Sequence, residues 1–508
     1  MYALKSLLNL RPVLILVAWL SLAACGQTEQ PAPEPAEEGT AEEVVLTEKV
    51  PVTTSSAEAL AYYEKGLVLA DNLLFVEANE AFGKAVETDP DFALGYMRLA
   101  NTSQSATAFY RAVRLAEETI ENASEGEKLY VRALIAGAEN DQAAQFDALV
   151  KVMSTYPKDE RTHMAVANYF LLQQNFADAA KHYDHATGIN PEFAAAFNAL
   201  GYAYRNSDNL DAAKDAFARY VELIPDEANP YDSYAELLME IGEYDESIDN
   251  YRKALEIDKN FPSAYAGISI NESLKGNAEA AQAAAAEMLA AARTDGEKRG
   301  AMFRSMTSHL FAGNVDAAQV VSGEMYAMAE AEGNHSAMGN ISEYYGDLLA
   351  TLGDGDGALL QYEKSLSHRQ QSDTNDAAKA QAERTFLFKA AVAAMVKGDI
   401  DTSAARAAEF SAAVEGTGTS FEQWRVHEID GYIAASQGDM EKSAAELGQA
   451  NLLDPIVLYY CAFANNNMGN AEKAIDLANR AAYRNTLSGN LPFFRDEAIA
   501  LLKELEAD

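Results

Sequence analysis

The sequence predicts an all-α fold, a solenoid of antiparallel helix pairs stacked side by side. Three observations lead to it. A small side chain recurs with a period of roughly 34 residues, at Ala78, Ala112, Ala179, Ala213, Ala281, Ala318, Ala358 and Ala474. Around these positions apolar residues lie three and four apart, as on one face of a helix. Proline or glycine then interrupts the pattern, as at Pro90, Pro225 and Gly242, where a helix must stop or the backbone must turn.

The first element is of another kind. Residues 1–24 carry Lys5 and Arg11, then the apolar run Val13 to Val17, then Leu22-Ala23-Ala24. A basic start, a short apolar core and a small-residue exit predict a processed export signal rather than a spanning helix. Leu22-Ala23-Ala24-Cys25 resembles the lipobox of bacterial lipoproteins. That resemblance implies cleavage before Cys25, a diacylglycerol thioether on its sulfur and acylation (palmitate or a similar chain) of its amino group. Several acyl chains would anchor the protein firmly in a lipid bilayer. With Gly26 rather than an aspartate next, the resemblance also implies an outer-membrane address, on the periplasmic side of the cell envelope. Residues 25–56 then hold Pro31, Pro33, Pro35 and Pro51 among many acids. This composition predicts a flexible tether without a core of its own.

Charge and cysteine content narrow the function. There are 39 basic and 78 acidic residues, a net charge of −39. Nucleic-acid backbones and anionic surfaces are repelled by such a chain, so no nucleic-acid partner is expected. The two cysteines are Cys25 and Cys461. With Cys25 acylated no intrachain disulfide remains, and stability must come from packing. Cys461, in an apolar helical stretch, reads as a small buried hydrophobe.

The repeat register gives unit starts at 59, 93, 126, 160, 194, 228, 262, 299, 339, 384, 424 and 455, about twelve units over residues 59–490. Spacing widens late, with an insertion expected near Ser367 to Ala378. The eighth position of the units includes Gly66, Gly201 and Ala235, and the twentieth includes Ala78, Ala179 and Ala213, with Gln145 as an exception. Small side chains at both positions let the two helices of a pair approach closely. Ala254 follows the same pattern further along a second helix. One pair cannot bury its faces alone, whereas stacked pairs share a continuous core. Residues 491–508 predict a C-terminal capping helix, with Leu501, Leu502 and Leu505 inward and Lys503, Glu504 and Glu506 outward.

Tyr62, Gly66, Ala78, Phe82, Ala85 and Pro90, with their counterparts in later units, resemble the tetratricopeptide repeat family over roughly residues 59–488. The stretch Asn229 to Leu238 is similar to one in tetratricopeptide lipoproteins of bacterial envelopes. The resemblance implies a right-handed superhelix whose first helices line the concave face. Some members of the family grip a terminal carboxylate with lysine at the fifth position. That column here reads Met97, Asn198, Asp232, Glu343, Phe388 and Glu428 among others, without lysine, so this mode is not expected.

No catalytic constellation, metal site or cofactor motif emerges. Gly353, Gly355 and Gly357 alternate with Asp354 and Asp356 but lack the glutamate of a calcium loop and read as a turn. His182 and His185 share a helix face without identifiable further ligands. His163, His309, His335, His368 and His427 are scattered in sequence. Inward positions of the clearest first helices carry Asn168, Asn198, Tyr202, Arg205, Asp232 and Glu236, side chains able to bond a peptide backbone or a carboxylate. The expected function is a lipid-anchored scaffold or adaptor binding a protein or peptide partner. The alternatives are a glycan- or nutrient-binding lipoprotein partnering an outer-membrane transporter, and an envelope enzyme whose site the sequence does not reveal.

Overall fold

A computed structural model describes residues 49–507 except 73, 104–105, 140, 375, 417–418 and 485–488. The export signal, Cys25 and the tether up to residue 48 lie outside the described residues. Among those described, the chain is all helix and turn, with no strand and no helix long and apolar enough to cross a membrane.

The described helices form two compact units, residues 49–224 and residues 225–507. Within the described part of the first are five pairs: α1 and α2 (Ala57–Asp71, Phe75–Thr88), α3 and α4 (Ala93–Asn101, Ala106–Thr119), α5 and α6 (Glu125–Ala138, Gln142–Thr155), α7 and α8 (Glu160–Leu172, Phe176–Ile189), and α9 and α10 (Ala194–Asn206, Leu210–Leu223). The second holds seven: α11 and α12 (Ala228–Glu240, Tyr244–Ile257), α13 and α14 (Pro262–Leu274, Ala278–Ala291), α15 and α16 (Asp295–Phe311, Val315–Ala331), α17 and α18 (His335–Thr351, Gly355–Gln371), α19 and α20 (Asp376–Val396, Ile400–Val414), α21 and α22 (Ser420–Ser436, Met440–Leu447), and α23 and α24 (Pro455–Asn467, Ala471–Tyr483). A last helix, α25 (Arg495–Leu505), follows them.

Local signals start and stop these helices. Capping boxes open α5 (Ser124 with Glu127), α15 (Thr294 with Glu297) and α21 (Thr419 with Glu422), each satisfying otherwise orphaned N–H groups. The turn inside each pair of the second unit needs one left-handed residue, and glycine supplies it at Gly242, Gly276, Gly313, Gly353, Gly398, Gly438 and Gly469. Gln174 and Asp208 take that conformation in the first unit. Gly353 makes such a turn, Gly355 to Gly357 open α18, and the Asp354 carboxylate caps that helix by accepting the Gly357 N–H at 2.8 Å.

Packing within pairs follows a spacing of sixteen residues between the eighth and twenty-fourth positions. A Cβ on Gly66, Gly201 or Gly346 would fall 2.6, 2.7 or 2.5 Å from ring carbons of Phe82, Phe217 or Tyr362. Each glycine is therefore a socket for one ring of its partner helix. Alanine replaces glycine at Ala167 and Ala235, where Tyr183 and Tyr251 stand at the matching place and are fully buried. Ala78, Ala179, Ala213 and Ala254 are likewise wholly buried. At two places serine stands in for alanine and its hydroxyl bonds the facing helix: Ser247 Oγ donates to the Ala235 carbonyl at 2.7 Å, and Ser269 Oγ to that of Ala281 at 2.9 Å. Gln145, the exception to the small column, is accommodated opposite Gly137, whose missing side chain leaves room for its amide.

Three expectations need correction. The late widening is not an inserted loop but longer helices: α15 to α18 have 17 residues each and α19 has 21, against 13 or 14 in α7 to α14. α18 runs on to Gln371 and α19 starts at Asp376, so most of Ser367 to Ala378 is helical.

The second correction concerns the tether. Its last residues, from Lys49 on, are an extended strap along the first unit. Lys49 Nζ pairs with Glu160 at 2.8 Å, the Val50 N–H bonds Asp159 at 2.9 Å, the Thr53 N–H bonds Glu127 at 2.7 Å, and the Ser55 N–H bonds Asp89 at 2.9 Å. An extended backbone has N–H groups to satisfy, and carboxylates at the junctions between successive pairs accept them. Burial pushes the Asp89 carboxyl up, but the hydrogen bonds from Thr54, Ser55 and Asp91 outweigh it and hold the pKa below its ordinary value.

The third concerns the C-terminal segment. Leu501, Leu502 and Leu505 are buried against the last pairs, but the helix begins only at Arg495. Leu491–Phe493 is a separate 3-10 turn packed with Met306, Leu310 and Leu348. Within the second unit the chain therefore returns from its end to the eighth and ninth pairs.

Candidate ligand-binding sites on the first helices

The residues singled out from sequence all lie on first helices, but they do different things. On α7, Asn168 accepts the Tyr183 hydroxyl at 2.5 Å and so steadies its own pair. On α9, Asn198 is buried and its side-chain oxygen has no hydrogen-bond partner. Four residues further, Tyr202 meets Phe217 edge-on at 5.1 Å, and the Arg205 guanidinium covers the Tyr202 ring at 4.7 Å. On α11, Asp232 is buried with one carboxylate oxygen unbonded. Burial, then the charge of Glu236, pushes its pKa up to about 8. Asn198, Tyr202 and Arg205 thus share one helix, and Asp232 and Glu236 another.

The histidines are less scattered than their numbering implies. His163 on α7 joins His182 and His185 on α8, with ring centroids 5.5 to 6.4 Å apart. Burial lowers the pKa of His163 and His182, and the neighbouring imidazoles act in the same direction. His335 and His368 meet at 3.1 Å through their Nδ1 atoms, and the Tyr326 hydroxyl lies 2.9 Å from His368 Nε2. Among the described residues no group of three or more His, Cys, Asp or Glu is placed to hold a metal ion. Cys461 is buried and its thiol pKa is raised by that burial, so it is inert rather than nucleophilic.

Two cavities of the second unit escaped the sequence reading. The smaller, about 160 Å³, is built from α17, α19, α21 and α23. Trp424, Arg425, Glu428 and Tyr432 project into it from α21 at helical spacing. Arg425 lies between the rings of Phe388 at 4.8 Å and Phe421 at 4.6 Å. Lys389 Nζ bonds Asp347 at 2.6 Å, an acceptor shared with the Tyr362 hydroxyl at 2.8 Å. Asp454 caps α23 through the Ile456 N–H at 2.9 Å, and Tyr460 packs against Tyr432 at 4.7 Å. Burial, then the neighbouring Asp454, pushes Glu428 up to about 7, against the pull of Arg425 and Lys389. Burial also raises the Asp454 pKa. The cavity therefore combines aromatic walls, two fixed cations and, in Glu428, a carboxyl held up to about 7, a mixture of donors and acceptors suited to an amphipathic ligand.

Phe388 and Glu428 were in the column searched for lysine, and Lys389 stands one residue past it. The register pointed to the right helices, but only folding shows that their side chains converge.

The larger cavity, about 580 Å³, opens among α13 to α17. The returning C-terminal segment touches the lining of both. Tyr344, at the edge of the larger, donates its hydroxyl to the Gly489 carbonyl at 2.6 Å and packs on Phe493 at 5.4 Å, while Asn490 and Phe493 line the smaller.

Several known proteins and two family models are similar to parts of this chain. A family model described as a tetratricopeptide repeat matches residues 194–227, the span of the α9 and α10 pair, and one described as a TPR repeat matches residues 235–268. Superkiller protein 3 of Schizosaccharomyces pombe (strain 972 / ATCC 24843) is 25% identical over 211 residues. The match covers 39% of this chain and 15% of that protein, so this chain spans only a small part of that relative. Among solved structures, MamA protein is 22% identical, with 33% of this chain and 91% of that chain covered and a TM-score of 0.31. A tetratricopeptide repeat protein from Parabacteroides merdae ATCC 43184 is 12% identical, with 52% and 98% covered and a TM-score of 0.39. Residues 194–227 and 235–268 are thus tetratricopeptide repeats by sequence, and similar helix pairs recur along the described residues.

Proposed function

We propose that this chain is a lipid-anchored scaffold of the bacterial cell envelope that binds a segment of a partner protein in the aromatic cavity of its second unit. The tetratricopeptide repeats at 194–227 and 235–268 support a protein-interaction scaffold. The observation that carries the finer reading is the convergence of Trp424, Arg425, Glu428 and Lys389 from two first helices onto one cavity. Arg425 and Lys389 supply charge-assisted donors for a carboxylate or backbone carbonyl, and the aromatic walls hold an apolar side chain. The anchor rests on the lipobox resemblance at Cys25. It is an outer-membrane, periplasm-facing anchor in this proposal.

A photo-crosslinking residue at Phe421 is expected to capture a discrete partner in intact envelopes. The same residue at Leu360, exposed on the second helix α18, should not capture it, and Arg425→Glu should abolish the product. Equal capture at both sites, or no effect of Arg425→Glu, would contradict this site. Trp424 and Phe421 together also keep the glycan alternative open to test. Trp19 falls in the export signal, so Trp424 alone reports on the cavity after processing. A saturable change in its fluorescence with neutral oligosaccharides, without protein crosslinks, would favour that alternative.

Cys25→Ser is expected to move the protein from the membrane to the soluble fraction and to abolish labelling by an alkyne palmitate analogue. Unchanged retention would sink the anchor.

A further inference from the structure

The charges lining the smaller, aromatic cavity do not cancel. Its ionisable lining residues, tyrosines aside, are Asp347, Glu428 and Asp454 against Lys389 and Arg425. Lys389 and Asp347 satisfy each other at 2.6 Å. Arg425, held between the rings of Phe388 and Phe421, has no carboxylate at ion-pair distance among the described residues, and neither Glu428 nor Asp454 has a cation there. Two acids and one base thus remain without an ion pair. With both acids ionised the cavity carries one negative charge in excess. A guest ammonium would neutralise it, whereas a guest carboxylate would raise the excess to two.

The rest of the lining is neutral. Thr351, Asn451, Asn490 and the tyrosine hydroxyls both donate and accept, so they favour neither sign. The Trp424 N–H only donates, but the face of its ring attracts a cation. The cavity's own cations already use such faces: Arg425 lies over Phe388 and Phe421, and Lys389 over Tyr362 at 5.6 Å. Trp424, Tyr432, Tyr460 and Phe493 complete the aromatic wall. Burial raises the pKa of both acids, and Glu428 reaches about 7 against the pull of Arg425, Lys389 and the Tyr432 hydroxyl. A cation beside these two carboxyls would let both ionise.

We infer, resting on the reading of this cavity as the partner site, that the partner's segment enters it with a lysine side chain, the ammonium on Glu428 and Asp454 and the methylene stem along the aromatic walls. Lysine suits these acceptors better than arginine does. Glu428 comes from α21 and Asp454 from the start of α23, and two carboxyls on different helices match a compact ammonium with three donors. A planar guanidinium fork is matched by a single carboxylate. Arg425 is left to donate to a backbone carbonyl of the segment. The net charge of −39 would also draw a basic partner toward the chain.

The test titrates the purified processed protein with three end-capped peptides, Gly-Ala-Xaa-Ala-Gly, in which Xaa is lysine, norleucine or glutamate. Trp424 fluorescence is followed at about pH 8. The lysine peptide is expected to saturate and to bind about tenfold tighter than the norleucine peptide, which has the same stem without the charge. The glutamate peptide should bind most weakly. At about pH 6 the lysine peptide should weaken about tenfold, because the ionised fraction of a group titrating near 7 falls by that factor, while norleucine should not change. Glu428→Gln should bring lysine close to norleucine and remove most of this pH dependence. Norleucine or glutamate binding as tightly as lysine, no saturable response to lysine, or indifference of lysine to Glu428→Gln would each overturn the assignment. The Phe421 crosslink decides separately on the cavity itself. A crosslinked product together with any of these three results keeps the partner site and discards the lysine, whereas a missing product discards the partner site as well.

Discussion

Phe217→Ala is expected to cost the α9 and α10 pair about 3–5 kcal/mol. The ring is fully buried and fills the space left by the absent side chain of Gly201. Removing it leaves a cavity on the pair's central seam, which helices held by their packing on α8 cannot collapse to fill. Gly201→Ala attacks the same contact from the other side. Its Cβ would lie 2.7 Å from two ring carbons, forcing the helices apart at about 1–3 kcal/mol. Phe217→Leu in the Gly201→Ala background should recover part of that loss, because a smaller, movable side chain relieves the overlap. A stack is stabilised by each pair and its neighbours, so the effect should be local. Hydrogen exchange of peptides within 194–223 is the measurement, with faster exchange there than in residues 57–88. Unaltered protection in Phe217→Ala would refute the socket.

Glu428→Gln should stabilise the second unit at alkaline pH and not at acid pH. The Glu428 carboxyl is held up to about 7 by burial and by Asp454, from an ordinary value of 4.5. Below the ordinary value both folded and unfolded chains carry the proton, and the residue contributes no pH dependence. Between that value and about 7 the unfolded chain ionises while the folded one does not, so stability falls as pH rises. Above about 7 the full cost is present, about 3 kcal/mol for a shift of this size. Glutamine is neutral throughout and of nearly the same shape. The melting temperatures of parent and variant should therefore coincide near pH 4 and separate by pH 8, with the variant higher. A constant difference across that range would show that Glu428 titrates normally.

The same residues mark how far the sequence could be read. Gly201 and Phe217 were visible as members of a repeat, and their meeting follows from helical geometry once the period is known. Register positions 93, 160, 194, 228, 262 and 455 coincide with first residues of helices. From 299 to 424 the register ran late by four to eight residues, because α15, α17, α19 and α21 begin earlier and are longer than the 34-residue pattern allows. The strap from Lys49 was hidden by composition. Prolines and acids speak for a tether, and what holds the strap is a set of carboxylates up to 111 residues away.

By itself, the sequence determined that this chain is a tandem of helix pairs, and which small residues close each pair. Those contacts join residues within one or two turns of a fixed period, so a local pattern contains them. The tertiary structure alone decided where cavities open and which charges line them. Lys389 meets Asp347 across 42 residues, and Tyr344 meets Gly489 across 145. No periodicity relates such segments. Their meeting depends on how each added pair is rotated and lengthened relative to the last, a quantity set by the packing of the whole unit.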